Sequence, residues 1–323
     1  MREINLNGHN FKMPAITIGT VRFGNLVSIE ESFAQLDYYY KKGGNWIDTA
    51  RVYGVELIPK QDRKPEYVDS EEAIGAWVRK RNLRDKITIV TKGAHWCLET
   101  KQKRVSAQAI RDDFALSLQK LDTNYVDIYL LHNDDEIVPV SEIMPVMHEL
   151  IKSGKARAIG ASNWRVQRII EANDYAAEND LTPFSISQVK WSYAITTENQ
   201  PKPTIDMHRD KTQYEGYKAI GMPIMAYSSQ AGGFFLKAAQ DGFSADTLEG
   251  GAARFLCDEN IRRAEIVKEL MTQKNISASA ASLGYLWSRG LPVTALVGCS
   301  TLKHLKVSLD ICDNTTYDPS CYS

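Results

Sequence analysis

Apolar, β-branched runs recur eight times along the chain, at residues 15–20, 45–48, 87–91, 125–131, 156–161, 185–189, 223–227 and 293–298. They are near-continuous rather than alternating, as strands buried on both faces are. Between them the apolar positions switch to helical spacing. Residues 29–42 carry Phe33, Leu36 and Tyr40 on one face. Residues 106–121 carry Ile110, Phe114, Leu118 and Leu121, with Ser106 placed as an N-cap. Residues 141–153 carry Ile143, Val146, Met147 and Leu150, with Gly154 just past the end. Further helical stretches fall near 70–81, 163–179, 206–220, 260–273, 277–289 and 301–311. This repeated alternation predicts a parallel sheet. Eight such units close into a (β/α)8 TIM barrel of the α/β class, with an open doubly wound sheet as the alternative. Asn7-Gly8, between short strands at Glu3 to Leu6 and Asn10 to Met13, predicts an N-terminal β-hairpin. No Pro/Gly-rich linker or second composition zone interrupts the chain, so residues 1–323 are expected to form one domain.

Two polar segments are longer than ordinary connections. Residues 54–69 follow one strand, and residues 228–259, with Gly232-Gly233, Gly242 and Gly250-Gly251, follow another. In a barrel both lie on the face where ligands bind. The formal net charge of -1 over 323 residues gives no electrostatic case for nucleic acid or an anionic membrane as partner. No apolar run approaches the roughly 18 residues that span a bilayer, and the N-terminus has no signal-peptide core. A cytoplasmic protein is expected. The five cysteines form no CxxC pair and are expected to be reduced structural thiols.

Three apolar runs end on residues that could carry chemistry. Trp46-Ile47 runs into Asp48, with Tyr53 five residues on; the run 87–91 ends at Lys92; the run 125–131 ends at His132. In a barrel these are successive strand ends, so the four side chains meet at one mouth. They suit carbonyl reduction. Tyr53 would give a proton to the developing alkoxide, Lys92 would lower the phenol's pKa, Asp48 would hold Lys92 charged, and His132 would orient the substrate oxygen. Taken singly, each has a plainer reading: Asp48 as a turn or helix cap, Tyr53 and Lys92 as surface or core residues, His132 as a satisfied histidine.

On these residues the sequence resembles the aldo-keto reductases. The motifs are Asp48 to Gly54, Thr91-Lys92, Leu130-Leu131-His132, Gly154 to Trp164, Ala231-Gly232-Gly233 and Val297 to Ser300, and the likeness runs from Gly19-Thr20 to about Asp310. The resemblance implies a (β/α)8 barrel, Asp48, Tyr53, Lys92 and His132 as the catalytic positions, and an extended nicotinamide dinucleotide bound without a GxGxxG loop. It places Ser162, Asn163 and Gln188 on the carboxamide, Trp191 under the nicotinamide ring, and Thr20 in the cofactor site. Ser228, Ser229, Gln230 and Gly232 fall on the pyrophosphate loop. Gly298, Ser300, His304 and Ser308 fall on the adenosine side, where the arginine fork usual for a 2′-phosphate is missing. NADP(H) is the expected cofactor, with NAD(H) as the alternative.

The expected partner is a small carbonyl or polyol compound. Trp96 and residues 54–69 are expected to wall the substrate pocket. Asp134, in the run Asn133 to Glu136, is either part of a solvated acidic loop or a recogniser of sugar hydroxyls. Two other functions compete: a dinucleotide-binding regulatory subunit with little turnover, and a metal-dependent barrel hydrolase. The latter would need ligands from six scattered histidines and lacks an HExxH motif, so no metal is expected.

Overall fold

The computed structural model describes residues 3–5, 11–196, 204–241, 248, 251–309 and 319–322. Each of the eight apolar runs is a strand: β3 (Ile16–Gly19), β4 (Trp46–Asp48), β5 (Thr88–Gly93), β6 (Val126–Leu131), β7 (Ala156–Ser162), β8 (Ile186–Lys190), β9 (Ile224–Tyr227) and β10 (Val293–Val297). They pair in parallel and close, β10 joining β3, into a barrel. The open-sheet alternative is thereby overturned.

The helices α1 (Ile29–Lys41), α2 (Ser70–Arg81), α3 (Ala107–Leu121), α4 (Val140–Lys152), α5 (Val166–Glu178) and α6 (Lys211–Ala219) each follow a barrel strand. Local chemistry sets their starts. Ser28 and Ser106 accept from the N–H groups of Glu31 and Ala109 at 3.2 Å each. Asp69 and Glu72 form a reciprocal capping box at the head of α2. Two helices begin later than their patterns predict. Asn163 takes a left-handed φ of 58°, which delays α5 to Val166. Asp210 caps the Thr212 N–H at 3.0 Å, which delays α6 to Lys211.

The segment 228–259 is not a loop throughout. It holds α7 (Phe234–Asp241) and a short turn at Ala253–Phe255. Next come α8 (Asp258–Lys274) and α9 (Ala278–Ser288); α10 (Leu302–Leu309) follows β10. Almost every residue of α9 is buried, because α8 and Tyr322 cover its outer side.

Strand parity divides the core. Trp46, Val90, Ile128, Leu130, Ala158, Ile186, Met225 and Leu296 point into the barrel, while Ile47, Ile89, Tyr129, Ile159 and Val189 face the helices. The hairpin plugs the bottom. Its strands are β1 (Glu3–Asn5) and β2 (Lys12–Pro14), the second two residues later than expected. Met13 joins the inner cluster, and Phe11 meets Trp46 edge-on at 6.4 Å. The Asn7-Gly8 turn lies outside the described residues. With one end closed by apolar side chains, the inward positions at the other end are free for polar work.

Candidate active site

The inward parity carries polar groups into the open mouth. Trp46 is followed two residues on by Asp48, Val90 by Lys92, Leu130 by His132, Ile186 by Gln188 and Met225 by Tyr227. Register places the first three side by side, since Asp48 pairs with Val90 and Lys92 with Leu130.

Lys92 is fully buried beneath the mouth and does not line the cavity above it. Its Nζ donates to Asp48 Oδ1 at 2.8 Å, Asp48 Oδ2 at 2.9 Å and the Thr49 carbonyl at 2.6 Å. Three acceptors match the three N–H bonds of an ammonium, so the pair is ionic. Burial pushes the Asp48 carboxyl up and the Lys92 ammonium down, and each partner's charge opposes that push on the other. Gln188 Nε2 donates to Asp48 Oδ1 at 2.8 Å from across the barrel.

Tyr53 arrives from a strapped loop. Ser70 N–H donates to its carbonyl at 3.0 Å, and Asp69 Oδ1 accepts from Val55 N–H at 2.9 Å. A Cβ on Gly54, at φ 131°, would lie 2.5 Å from the Asp69 Cα, so only glycine lets the strap close. The Tyr53 ring centre stands 4.7 Å from Lys92 Nζ and 5.6 Å from the His132 ring, at 76°. Burial, with the Asp48 carboxylate adding to it, raises the phenol well above its ordinary range. In the resting site burial outweighs the lowering expected from Lys92, whose ammonium is paired with Asp48. Burial holds the His132 imidazolium well below its usual range, with Lys92 adding to the effect, so the ring is neutral. Among the described residues its Nδ1 is buried without a partner.

A cavity of about 950 Å³ runs from these side chains to the head of α10. Thr20, Ser162, Asn163 and Gln188 line it near the tetrad. Asn163 Nδ2 donates to Ser162 Oγ at 3.1 Å, and Thr20 Oγ1 donates to the Asp48 carbonyl at 2.8 Å. Ser228, Ser229, Gln230 and Gly232 line it further along. Ser229 Oγ donates to the Leu296 carbonyl at 2.6 Å, and Gln230 Nε2 to Ser308 Oγ at 2.8 Å. Gly232, at φ 64°, passes so close to Gly251 that an added Cβ would lie 2.6 Å from that residue's carbonyl carbon. Gly298, Ser300, His304 and Ser308 close the far end, with Ser300 Oγ 3.3 Å from His304 Nδ1.

Two expected site residues stand elsewhere. Trp191 does not line the cavity. It has the outward parity of Val189, and its ring packs on Tyr214 and Tyr285 at 5.9 and 6.3 Å. Asp134 also does not line it. Its carboxylate is buried beside Arg168, 3.6 Å away, and burial raises it to about 6. Trp96 does line the cavity.

The sequence reading missed His95, Tyr227, Lys237 and Arg254, all of which line the cavity. Tyr227 ends an apolar run as Asp48 and Lys92 do, a signal that was present in the sequence. Its hydroxyl donates to Asn163 Oδ1 at 2.7 Å, which holds the ring. The C-terminal stretch holds no arginine fork, but Arg22 and Arg254 line the cavity from other segments. Among the described residues no group of three or more His, Cys, Asp or Glu side chains could hold a metal ion.

The Aldo/keto reductase family model matches residues 15–322 of this chain. The chain belongs to that family. It is similar to the norsolorinic acid reductase of Aspergillus flavus, at 27% identity over 314 residues, covering 93% of this chain and 74% of the relative. It is also similar to the aryl-alcohol dehydrogenase (NADP(+)) of Phanerodontia chrysosporium, at 30% identity over 304 residues, covering 88% and 72%. This aldo-keto reductase is an oxidoreductase that works with a nicotinamide cofactor on the carbonyl–alcohol pair of a small molecule. The comparisons give no support to a purely regulatory role. No helix among the described residues is long and apolar enough to cross a membrane.

Proposed function

We propose that the chain, as one barrel domain over residues 1–323, reduces an aromatic aldehyde or ketone with NADPH, Tyr53 supplying the proton. The observation that carries this is the meeting of Tyr53, His132 and the buried Lys92–Asp48 pair at one end of a long cavity. The phenol, raised by burial, keeps its proton through neutral pH and so has one to give. As that proton leaves for the substrate oxygen, the Lys92 ammonium, 4.7 Å from the ring centre, stabilises the phenolate. Asp48, held by Gln188, keeps Lys92 protonated and in place. A buried N–H without an acceptor costs more than a buried lone pair. With Nδ1 unpartnered, the His132 proton therefore sits on Nε2, where it donates to the carbonyl oxygen.

The cavity fits a dinucleotide. Its far walls include hydroxyls, glycines and turned backbone, and at Gly232, against Gly251, no side chain would fit. When bound, the dinucleotide supplies the hydride. Ser162, Asn163 and Gln188 would hold its carboxamide. Tyr227, fixed through Asn163, takes over the stacking role first given to Trp191. Thr20, Ser228 to Gln230, Gly232, Gly298, Ser300, His304 and Ser308 would hold the remainder. Arg254, Lys237 and His304 favour the extra phosphate of NADP(H) over NAD(H). Fluorescence titration with both cofactors tests this, and equal affinities would reject it.

The tilt toward aromatic substrates rests on the rings of Tyr53, His95 and Trp96 at the cavity, and on the relatives named for aryl alcohols and norsolorinic acid. The sugar reading rested on the carboxylates of the run Asn133 to Glu136; Asn133 lines the cavity, but Asp134, Asp135 and Glu136 do not. A panel of aryl aldehydes and sugars decides between them. The free thiols of Cys97, Cys257, Cys299 and Cys321 suit a reducing compartment such as the cytoplasm. Tyr53→Phe should lower turnover by about 10²- to 10⁴-fold while NADPH still quenches fluorescence. Undiminished turnover would remove Tyr53 from the role.

A further inference from the structure

A second imidazole opens on the cavity beside His132. His95 stands three residues past Lys92, and its ring centre lies 4.6 Å from that of His132, at 70°. The loop that carries it is pinned. Ala94, at φ 57°, donates its N–H to Asp113 Oδ2 at 2.8 Å. Arg104 pairs with Asp113 at 3.2 Å and donates to the His95 carbonyl at 3.3 Å, while Arg51 holds Asp113 from another side at 3.2 Å.

The ring is pinned as well. His95 Nδ1 lies 2.9 Å from the Trp96 carbonyl oxygen. A carbonyl oxygen only accepts, so the proton is on Nδ1 and Nε2 keeps a lone pair. Burial holds the ring below its usual range, against the pull of the Trp96 carbonyl and Asp113 and with Arg51 and Arg104 adding to it. No hydrogen bond reaches Nε2 among the described residues, and His95 lines the cavity. The mouth thus presents two neutral imidazoles of opposite sense: an N–H from His132 and a lone pair from His95. The Trp96 ring, 4.2 Å from His95, adds a flat wall on the same side.

We infer that His95 Nε2 accepts a hydrogen bond from a hydroxyl carried by the substrate near its carbonyl, so that this enzyme selects hydroxylated aryl carbonyl compounds. The inference rests on the aryl-carbonyl reading above. A substrate without the hydroxyl covers the lone pair and leaves it unpaired, and a site built to bond a hydroxyl rejects the analogue that lacks it.

The test uses 2-hydroxy- and 3-hydroxybenzaldehyde beside their fluoro counterparts, which are small and cannot donate. The readout is the hydroxyl-to-fluoro ratio of kcat/KM in wild type, His95→Leu and His95→Gln, so that a general loss of activity cancels within each protein. At one or both ring positions the wild-type ratio should exceed that of His95→Leu by about tenfold. His95→Gln, whose carbonyl oxygen still accepts, should retain part of the preference. A wild-type ratio of about one at both positions, or the same ratio in His95→Leu, overturns the inference and leaves aryl reduction standing. Turnover of none of the four aldehydes overturns aryl reduction and this inference with it.

Discussion

The two ends of the cavity are built from different materials. The end at β4, β5 and β6 is held by buried charge: Lys92 with Asp48, Glu71 bonded to Thr91, and Arg51 and Arg104 around Asp113. The end at β9, β10 and α10 is held by backbone turns and hydroxyls. Ser228, Ala231, Gly232 and Gly233 all take left-handed φ values, Ser229 donates to the Leu296 carbonyl, and Ser308 accepts from Gln230 and donates to the His304 carbonyl. Proton transfer needs charges fixed in a place that water does not reach, and buried ion pairs give that. A long flexible ligand needs close approach along its length, and turned backbone with small side chains gives that. Substitutions should therefore fail differently at the two ends.

The largest effect is expected at the charged end. Lys92→Met leaves the Asp48 carboxylate buried without its partner, which should cost about 3–5 kcal/mol of stability in urea unfolding and abolish turnover. Adding Asp48→Asn should return part of the stability and none of the turnover. A single variant as stable as the parent would mean that the pair is not ionic.

Glu71 sharpens the same contrast. It is fully buried, and burial raises its carboxyl from the ordinary 4.5 to about 7. Between those values the folded chain binds the proton that the unfolded chain has released, so stability falls as pH rises through the window. The loss is about 3 kcal/mol once pH exceeds the folded value. Glu71→Gln keeps an oxygen for the Thr91 hydroxyl and does not titrate. Unfolding measured at pH 5 and pH 8 should show the parent losing that much relative to the variant. A pH-independent difference between the two proteins would remove Glu71 from the account.

At the other end the effects should be smaller and confined to binding. Gly232→Ala adds a Cβ at a left-handed position against the Gly251 backbone. It should cost about 1–2 kcal/mol of NADPH affinity by fluorescence titration, with kcat nearly unchanged. Nearer the tetrad, Tyr227→Phe removes only the hydroxyl bonded to Asn163. It should raise the cofactor KM a fewfold, about 0.5–1.5 kcal/mol. A collapse of kcat in Gly232→Ala would break the division between the two ends.

The same division explains what was legible in the chain. Asp48, Lys92 and His132 each terminate an apolar run, a signal carried by a few consecutive residues. Trp191 was misread although its parity was visible, since it is three residues from inward Gln188 and so faces outward. Asp134 was misread because its position past β6 depends on the turn that follows His132, and it ends beside Arg168 of α5 instead of at the cavity. Arg254 and Lys237 carry no periodic signal. Only the folding of segment 228–259 into α7 and a turn brings them to the cavity.

The sequence by itself determined the eight strands, most of the helices and the residue types at the strand ends, because periodicity and caps are local properties of the chain. Tertiary structure decided which groups face one another. It paired Lys92 with Asp48 beneath the Tyr53 ring, set Gln188 against Asp48 across the barrel, and fixed the His95 proton through Trp96. The physical reason is range. Secondary structure answers to neighbours within a turn or a pleat, whereas burial and Coulomb interaction act between segments far apart in sequence, and they alone settle where each proton resides.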